Sequence, residues 1–187
     1  MKTVKTGIIG LGNMGKKYAE MIYHGQAGAL ELTAVFCRSG ETVKWAEAHL
    51  GIGVEIYRDI EVMYQKGVFD AVLIVTPHKT HPALAVQAFS HGKHVFCDKP
   101  SGISVLQCEE MNRAAESSGK IFAMMFHQRM YDKYRRIKEL IDGGEVGKIK
   151  RVLLENSRYF RTRKYHQSGS WRSSWNGEGG GKFYGTS

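Results

Sequence analysis

Three glycines near the amino terminus, Gly10, Gly12 and Gly15, stand at the spacing G-x-G-x-x-G directly after the apolar run Val4-Lys5-Thr6-Gly7-Ile8-Ile9. That pattern predicts strand, tight turn and helix in succession. The first glycine permits the turn, the second leaves room for a pyrophosphate against the backbone, and the third lets the helix pack closely. A helix beginning there turns unpaired N–H groups and its positive dipole end towards phosphate. The chemistry implied is dinucleotide binding by Gly10, Leu11, Gly12, Asn13, Met14 and Gly15, although an ordinary glycine-rich turn shares the spacing. The surrounding elements must decide.

Those elements alternate. A helix over Met14 to Tyr23 and a strand over Leu30 to Cys37 complete a strand-helix-strand unit. Helices are expected at Glu41 to Leu50, Asp59 to Lys66 with Asp59 as N-cap, His81 to His91 and Ser104 to Ser118. Strands are expected at Val54 to Tyr57, Asp70 to Val75, His94 to Cys97 and Ile121 to Phe126. The run Ala71-Val72-Leu73-Ile74-Val75 is apolar without alternation, as in a parallel strand buried on both faces. Repeated alternation with short links predicts an α/β fold built on a doubly wound parallel sheet.

Two further groups sit at the carboxyl ends of predicted strands, where such sheets bind ligands: Thr76-Pro77-His78 and Asp98-Lys99-Pro100. Lys99 supplies an ammonium at the crevice, and Pro100 restricts its backbone to an extended form. The dinucleotide pattern expects a carboxylate for the ribose hydroxyls about 20 residues past the glycines. Cys37 stands there instead, followed by Arg38 and Ser39, a guanidinium and a hydroxyl suited to a 2′-phosphate. The cofactor expectation is NAD(P), favouring NADP.

Composition excludes several classes. No apolar run approaches the roughly 20 residues needed to cross a bilayer. A core strand follows Met1 at once and leaves no room for a signal peptide, so the expected location is cytoplasmic. Cys37, Cys97 and Cys108 lack C-x-x-C spacing, and the pair His78 and His81 has no Cys or carboxylate set beside it; neither a disulfide framework nor a metal site is expected. The net charge of +9 is concentrated late, with thirteen Lys/Arg against five Asp/Glu between Arg129 and Arg172. No nucleic-acid motif accompanies that excess, so no nucleic-acid partner is expected.

Taken together, Gly10-Leu11-Gly12-Asn13-Met14-Gly15, Thr76-Pro77-His78-Lys79-Thr80-His81, Gly92 through Pro100 and Lys138 through Ile149 resemble the Gfo/Idh/MocA oxidoreductases, as do Ser170-Trp171-Arg172 and Gly177 through Gly181. The resemblance implies a Rossmann domain at 1–122 and the start of an incomplete α+β substrate and oligomerisation domain at 123–187. It implies hydride transfer between a nicotinamide cofactor and a sugar, cyclitol or similar polyol. Lys99 matches the lysine of the family's Glu-Lys-Pro motif, beside nicotinamide and substrate, and Asp98 replaces its Glu as the second catalytic candidate. Thr76, Pro77, His78 and His81 match a loop under the cofactor.

Beyond Gly143-Gly144, the stop of a helix over Tyr131 to Gly143, a long strand is expected from Ile149 to Phe160. The family's later Asp and His have no match before Ser187, so the chain reads as truncated within its second domain and impaired in turnover. The expected partners are a small polyol and further copies of the chain, joined through the C-terminal segment. The alternative function is a non-catalytic dinucleotide-binding or regulatory protein.

Overall fold

β1 (Val4–Ile9) occupies an interior position in a six-stranded sheet, paired in parallel with β2 (Leu30–Phe36) on one side and β4 (Ala71–Ile74) on the other. The computed structural model describes residues 2–155, 160–167, 169, 171–172 and 174–178. β3 (Glu55–Tyr57), β5 (His94–Cys97) and β6 (Phe122–Met124) complete the order β3-β2-β1-β4-β5-β6, all parallel. The chain winds outwards from β1 to β3, then restarts at β4 on the other side. The break between β1 and β4 is the switch point at which doubly wound sheets open a crevice.

The two faces explain why the strand runs lack polar alternation. Ile9, Val72, Ile74, Val95 and Cys97 face one layer, formed with α3 (Ile60–Lys66), α4 (His81–Ser90) and α5 (Val105–Ser118) through Met63, Ala85, Phe89 and Met111. Ile8, Val35 and Leu73 face the other, where α1 (Asn13–Tyr23) and α2 (Gly40–His49) contribute Ala19, Ile22 and Ala46. Each large aliphatic side chain fully buried here contributes about 1.5–3 kcal/mol, which is what holds strands of only three to six or seven residues in register.

Side chains fix three of the helix starts. Ser39, Asp59 and Ser104 accept from amides in the first turns of α2, α3 and α5. Asp59 is the N-cap expected for its helix, and the other helix and strand bounds as far as β6 fall within a few residues of expectation. β6 ends at Met124, so a domain division after residue 122 would cut the sheet's last strand.

Past β6, a 3₁₀ turn (His127–Met130) leads into α6 (Asp132–Asp142). Tyr134, Ile137 and Ile141 form an exposed stripe along it. The strand expected over Ile149 to Phe160 does not form in the described part: residues 149–155 and Phe160 carry no strand pairing, and residues 156–159 lie outside the described residues. A strand needs a neighbour to take its backbone hydrogen bonds, and here Val152, Leu153 and Leu154 are each 78 % exposed. Two short helices follow, α7 (Arg163–Gln167) and α8 (Trp175–Glu178), and α8 packs on the 3₁₀ turn His78–Thr80.

Candidate functional site

The glycine turn is built as its spacing requires. Gly10 has φ +101°, and a side chain there would lie 2.7 Å from the Val75 carbonyl and 2.8 Å from Thr76 Cγ2. At Gly15 a Cβ would stand 1.9 Å from the Gly10 carbonyl, so only glycine lets α1 start against the turn. Gly12 differs: its Cβ would meet nothing within 4 Å, and the residue is exposed. α1, unlike α2, α3 and α5, begins without a side-chain cap, at a Gly12 in ordinary extended conformation. The turn is thus packed by protein at Gly10 and Gly15 and open at Gly12, a cradle that fits a pyrophosphate on the α1 amides. Leu11 is 2 % exposed and belongs to the core, so its backbone alone faces the cradle, while Asn13 and Met14 remain exposed.

Beside this cradle the ends of β4 and β5 bring together the two other groups. The Asp98 amide donates to the Ile74 carbonyl at 2.9 Å, and the Gly10 amide donates to the Phe36 carbonyl at 3.1 Å. Thr76, Pro77 and His78 are half-buried at the β4 end, where Thr80 Oγ1 lies 2.7 Å from both Thr76 Oγ1 and the Pro77 carbonyl. Lys99 is exposed, and the Lys99–Pro100 peptide is cis. Asp98 Oδ1 accepts from the Lys99 amide at 2.9 Å. The Asp98 carboxylate therefore organises the turn that carries Lys99 rather than reaching outwards.

His81, expected among the cofactor contacts, has its side chain buried between the two loops. It is 1 % exposed, and its two ring nitrogens each lie 2.7 Å from a backbone carbonyl, Nδ1 from Pro100 and Nε2 from Thr76. Its spacing after Thr76 was legible, but its direction was set by Pro100, 19 residues later. Among the described residues no group of three or more His, Cys, Asp or Glu could hold a metal ion.

At the β2 end Arg38 and Ser39 are exposed. Ser39 is committed to capping α2, accepting from the Thr42 amide at 3.2 Å. A second guanidinium joins them that sequence reading missed: Arg58 Nη2 donates to the Arg38 carbonyl at 3.3 Å. Its position immediately before the N-cap Asp59 carried no signal; the parallel pairing Phe36↔Tyr57 brings it there. Burial raises the Cys37 thiol, and the Arg58 charge acts in the opposite sense.

Two other neighbours were not singled out for the site. Tyr18 on α1 lies close enough to Asp98 that its phenol is raised, by burial first and by that carboxylate second. Trp171 meets His78 edge-on, with ring centroids 4.9 Å apart, while the Arg172 guanidinium lies 4.6 Å from the Trp171 ring and 4.5 Å from that of Tyr165.

Cys97, under the Lys99 turn, is fully buried and pushed up to about 12 by burial and, second, by Asp98. A thiol so raised is protonated and inert. Iodoacetamide at pH 8 should leave Cys97 unmodified in the folded chain and label it after denaturation, as read by mass spectrometry; rapid native labelling would contradict the burial. Because the native thiol holds its proton where the unfolded one, near pH 8.5, has lost it, this group's contribution to stability falls as pH rises from about 8.5 towards 12.

The model of an oxidoreductase family with an NAD-binding Rossmann fold matches residues 4–126. The chain belongs to the Gfo/Idh/MocA family. An inositol 2-dehydrogenase of Burkholderia lata is 32 % identical over 146 residues, covering 78 % of this chain and 43 % of that protein. A 2,7-anhydro-N-acetylneuraminate hydratase of Mediterraneibacter gnavus is 30 % identical over 149 residues, or 80 % of this chain and 38 % of that protein. The crystal structure of scyllo-inositol dehydrogenase from Lactobacillus casei with bound NAD(H) and scyllo-inositol superposes with a TM-score of 0.71 at 33 % identity, over 78 % of this chain and 43 % of that one. The chain thus spans less than half the length of these Gfo/Idh/MocA relatives. No helix among its described residues is long and apolar enough to cross a membrane.

Proposed function

We propose that the chain binds NAD(P), with preference for NADP, and forms the cofactor half of an oxidoreductase acting on a sugar, cyclitol or similar polyol. The observation that carries this reading is the contrast in the glycine turn, where Gly10 and Gly15 are closed by protein and Gly12 opens on space. Hydride donation or acceptance is what a bound nicotinamide brings. The chain's own residues do the rest. The α1 amides and Gly12 hold phosphate, Arg38 and Arg58 meet a 2′-phosphate, and Thr76, Pro77 and His78 line the β4 end of the crevice. Lys99, oriented by the Asp98 contact with its amide, lowers the cost of removing a substrate hydroxyl proton by placing a cation beside the forming alkoxide. An inositol 2-dehydrogenase and a scyllo-inositol dehydrogenase among the relatives support the polyol class.

The test is fluorescence titration with NADPH and NADH, displaced by 2′,5′-ADP. One saturable site with tighter NADPH is the expected result, and no saturation by either cofactor up to millimolar concentration would overturn the reading.

Self-association through the C-terminal segment belongs to the same proposal. Ile137 on α6 and the run Val152-Leu153-Leu154 hold apolar side chains in water, and a second copy would cover them. Multi-angle light scattering should find a species larger than the 21.0 kDa chain, and a monomer at all concentrations would remove the idea.

A further inference from the structure

We propose that His81 is a positioning residue that ties together the two loops beneath the crevice, and that it does so as a buried imidazolium. Its Nδ1 and Nε2 each lie 2.7 Å from a carbonyl oxygen, those of Pro100 and Thr76. A carbonyl only accepts. A neutral imidazole owns one N–H, so it would satisfy one oxygen and set a nitrogen lone pair against the other at the same distance. The doubly protonated ring donates to both. The ring itself is 1 % exposed, so a bare nitrogen held against a carbonyl would have no solvent to turn to.

The two carbonyls belong to the segments that matter. Thr76 begins the turn after β4, and Pro100 follows Lys99 after β5. The two strands are paired up to Ile74↔Cys97, and the Asp98 amide extends that pairing by one bond to Ile74. Past this point the backbones separate, and the His81 ring carries the connection outwards, fixing Pro100, and with it the base of Lys99, relative to the floor of the crevice. The ionisable side chains on the elements meeting at this ring are His78, 6.0 Å away between ring centroids, and Lys79 on the 3₁₀ turn; His94 and Cys97 on β5, with Asp98 and Lys99 after it; Cys108, Glu109, Glu110, Arg113 and Glu116 on α5; and Arg172 beside Trp171, which touches His78. Asp98 is the one carboxylate in the turns that directly follow β4 and β5, residues 75–80 and 98–104. A ring with a single N–H can hold only one of the two loops.

The effect on cofactor rests on the dinucleotide reading above, whereas the charge of the ring does not, and the two are measured apart. With histidine labelled by ¹⁵N, long-range proton–nitrogen correlation on the unliganded chain reads both ring nitrogens of His81, assigned in the wild type through its own Cβ so that no variant has to fold. Both nitrogens protonated at pH 7.5, with slowly exchanging ring protons, is the expected result; one protonated and one bare nitrogen would overturn the proposal.

The positioning role is read by NADPH affinity across pH 6 to 9.5. Wild type should weaken by about tenfold or more as the second proton is lost, while His81→Gln, with a single donor group, should be weak and flat. Parallel profiles for the two proteins would reject it. If no dinucleotide binds, hydrogen exchange at the Lys99 amide serves instead: it should quicken across the same transition, and an amide that ignores the state of His81 would reject the role.

Discussion

Gly12→Val should weaken NADPH and NADH binding by about 10²-fold or more, roughly 3 kcal/mol, while leaving the thermal midpoint within a few degrees of wild type. The fold tolerates the change because Gly12 has φ −72° and ψ −171°, open to any residue, and a Cβ there meets no protein atom within 4 Å. Binding suffers because the added methyls occupy the space over the α1 amides in which phosphate oxygens must lie. Gly15→Val is the matched control. Its Cβ would stand 1.9 Å from the Gly10 carbonyl, so the turn itself must move, and the protein should lose stability as well as binding. Calorimetry and fluorescence titration on both variants separate the two cases. A Gly12→Val protein that binds dinucleotide normally would remove the cradle from the site.

The second large effect concerns the far end of the cofactor. Arg38→Ala and Arg58→Ala should each weaken NADPH by about tenfold and leave NADH within about twofold, and the double variant should erase most of the preference. Charge-assisted contacts to phosphate contribute about 1.5–3 kcal/mol, and the lower end applies because both side chains are exposed and screened by salt. Raising the salt concentration should therefore narrow the NADPH advantage in wild type but not in the double variant. Equal losses for both cofactors would show that the arginines hold no 2′-phosphate and serve only the β2–β3 end of the sheet.

Arg58 also shows where sequence reading stops. The order of elements was legible because each strand of a parallel sheet covered on both faces must be a continuous apolar run, and Ala71 to Val75 is one. Glycine requirements were legible because part of each is local: Gly10 has a positive φ in its own turn, and Gly15 stands against the Gly10 carbonyl. Arg58 meets Arg38 across 20 residues through strand pairing, and His81 meets Pro100 across 19, so their roles belong to tertiary geometry that no local pattern encodes. The failed strand over residues 149–155 makes the converse point. Its apolar residues fit a strand, but a strand is a property of two segments, and β propensity without a partner leaves Val152, Leu153 and Leu154 in water.

The switch point between β1 and β4 has a consequence for the life of the chain. Gly12, Thr76 and Lys99 lie far apart along the polypeptide and share a crevice only after β1, β4 and β5 have paired. An unfolded chain offers a dinucleotide nothing comparable to hold. Any dinucleotide that enters the crevice thus draws the folding equilibrium with it by mass action, adding about 2.7 kcal/mol at a hundred times its dissociation constant. A nicotinamide dinucleotide would act as a small-molecule chaperone for this chain, and its removal should leave the chain easier for an added protease to cut.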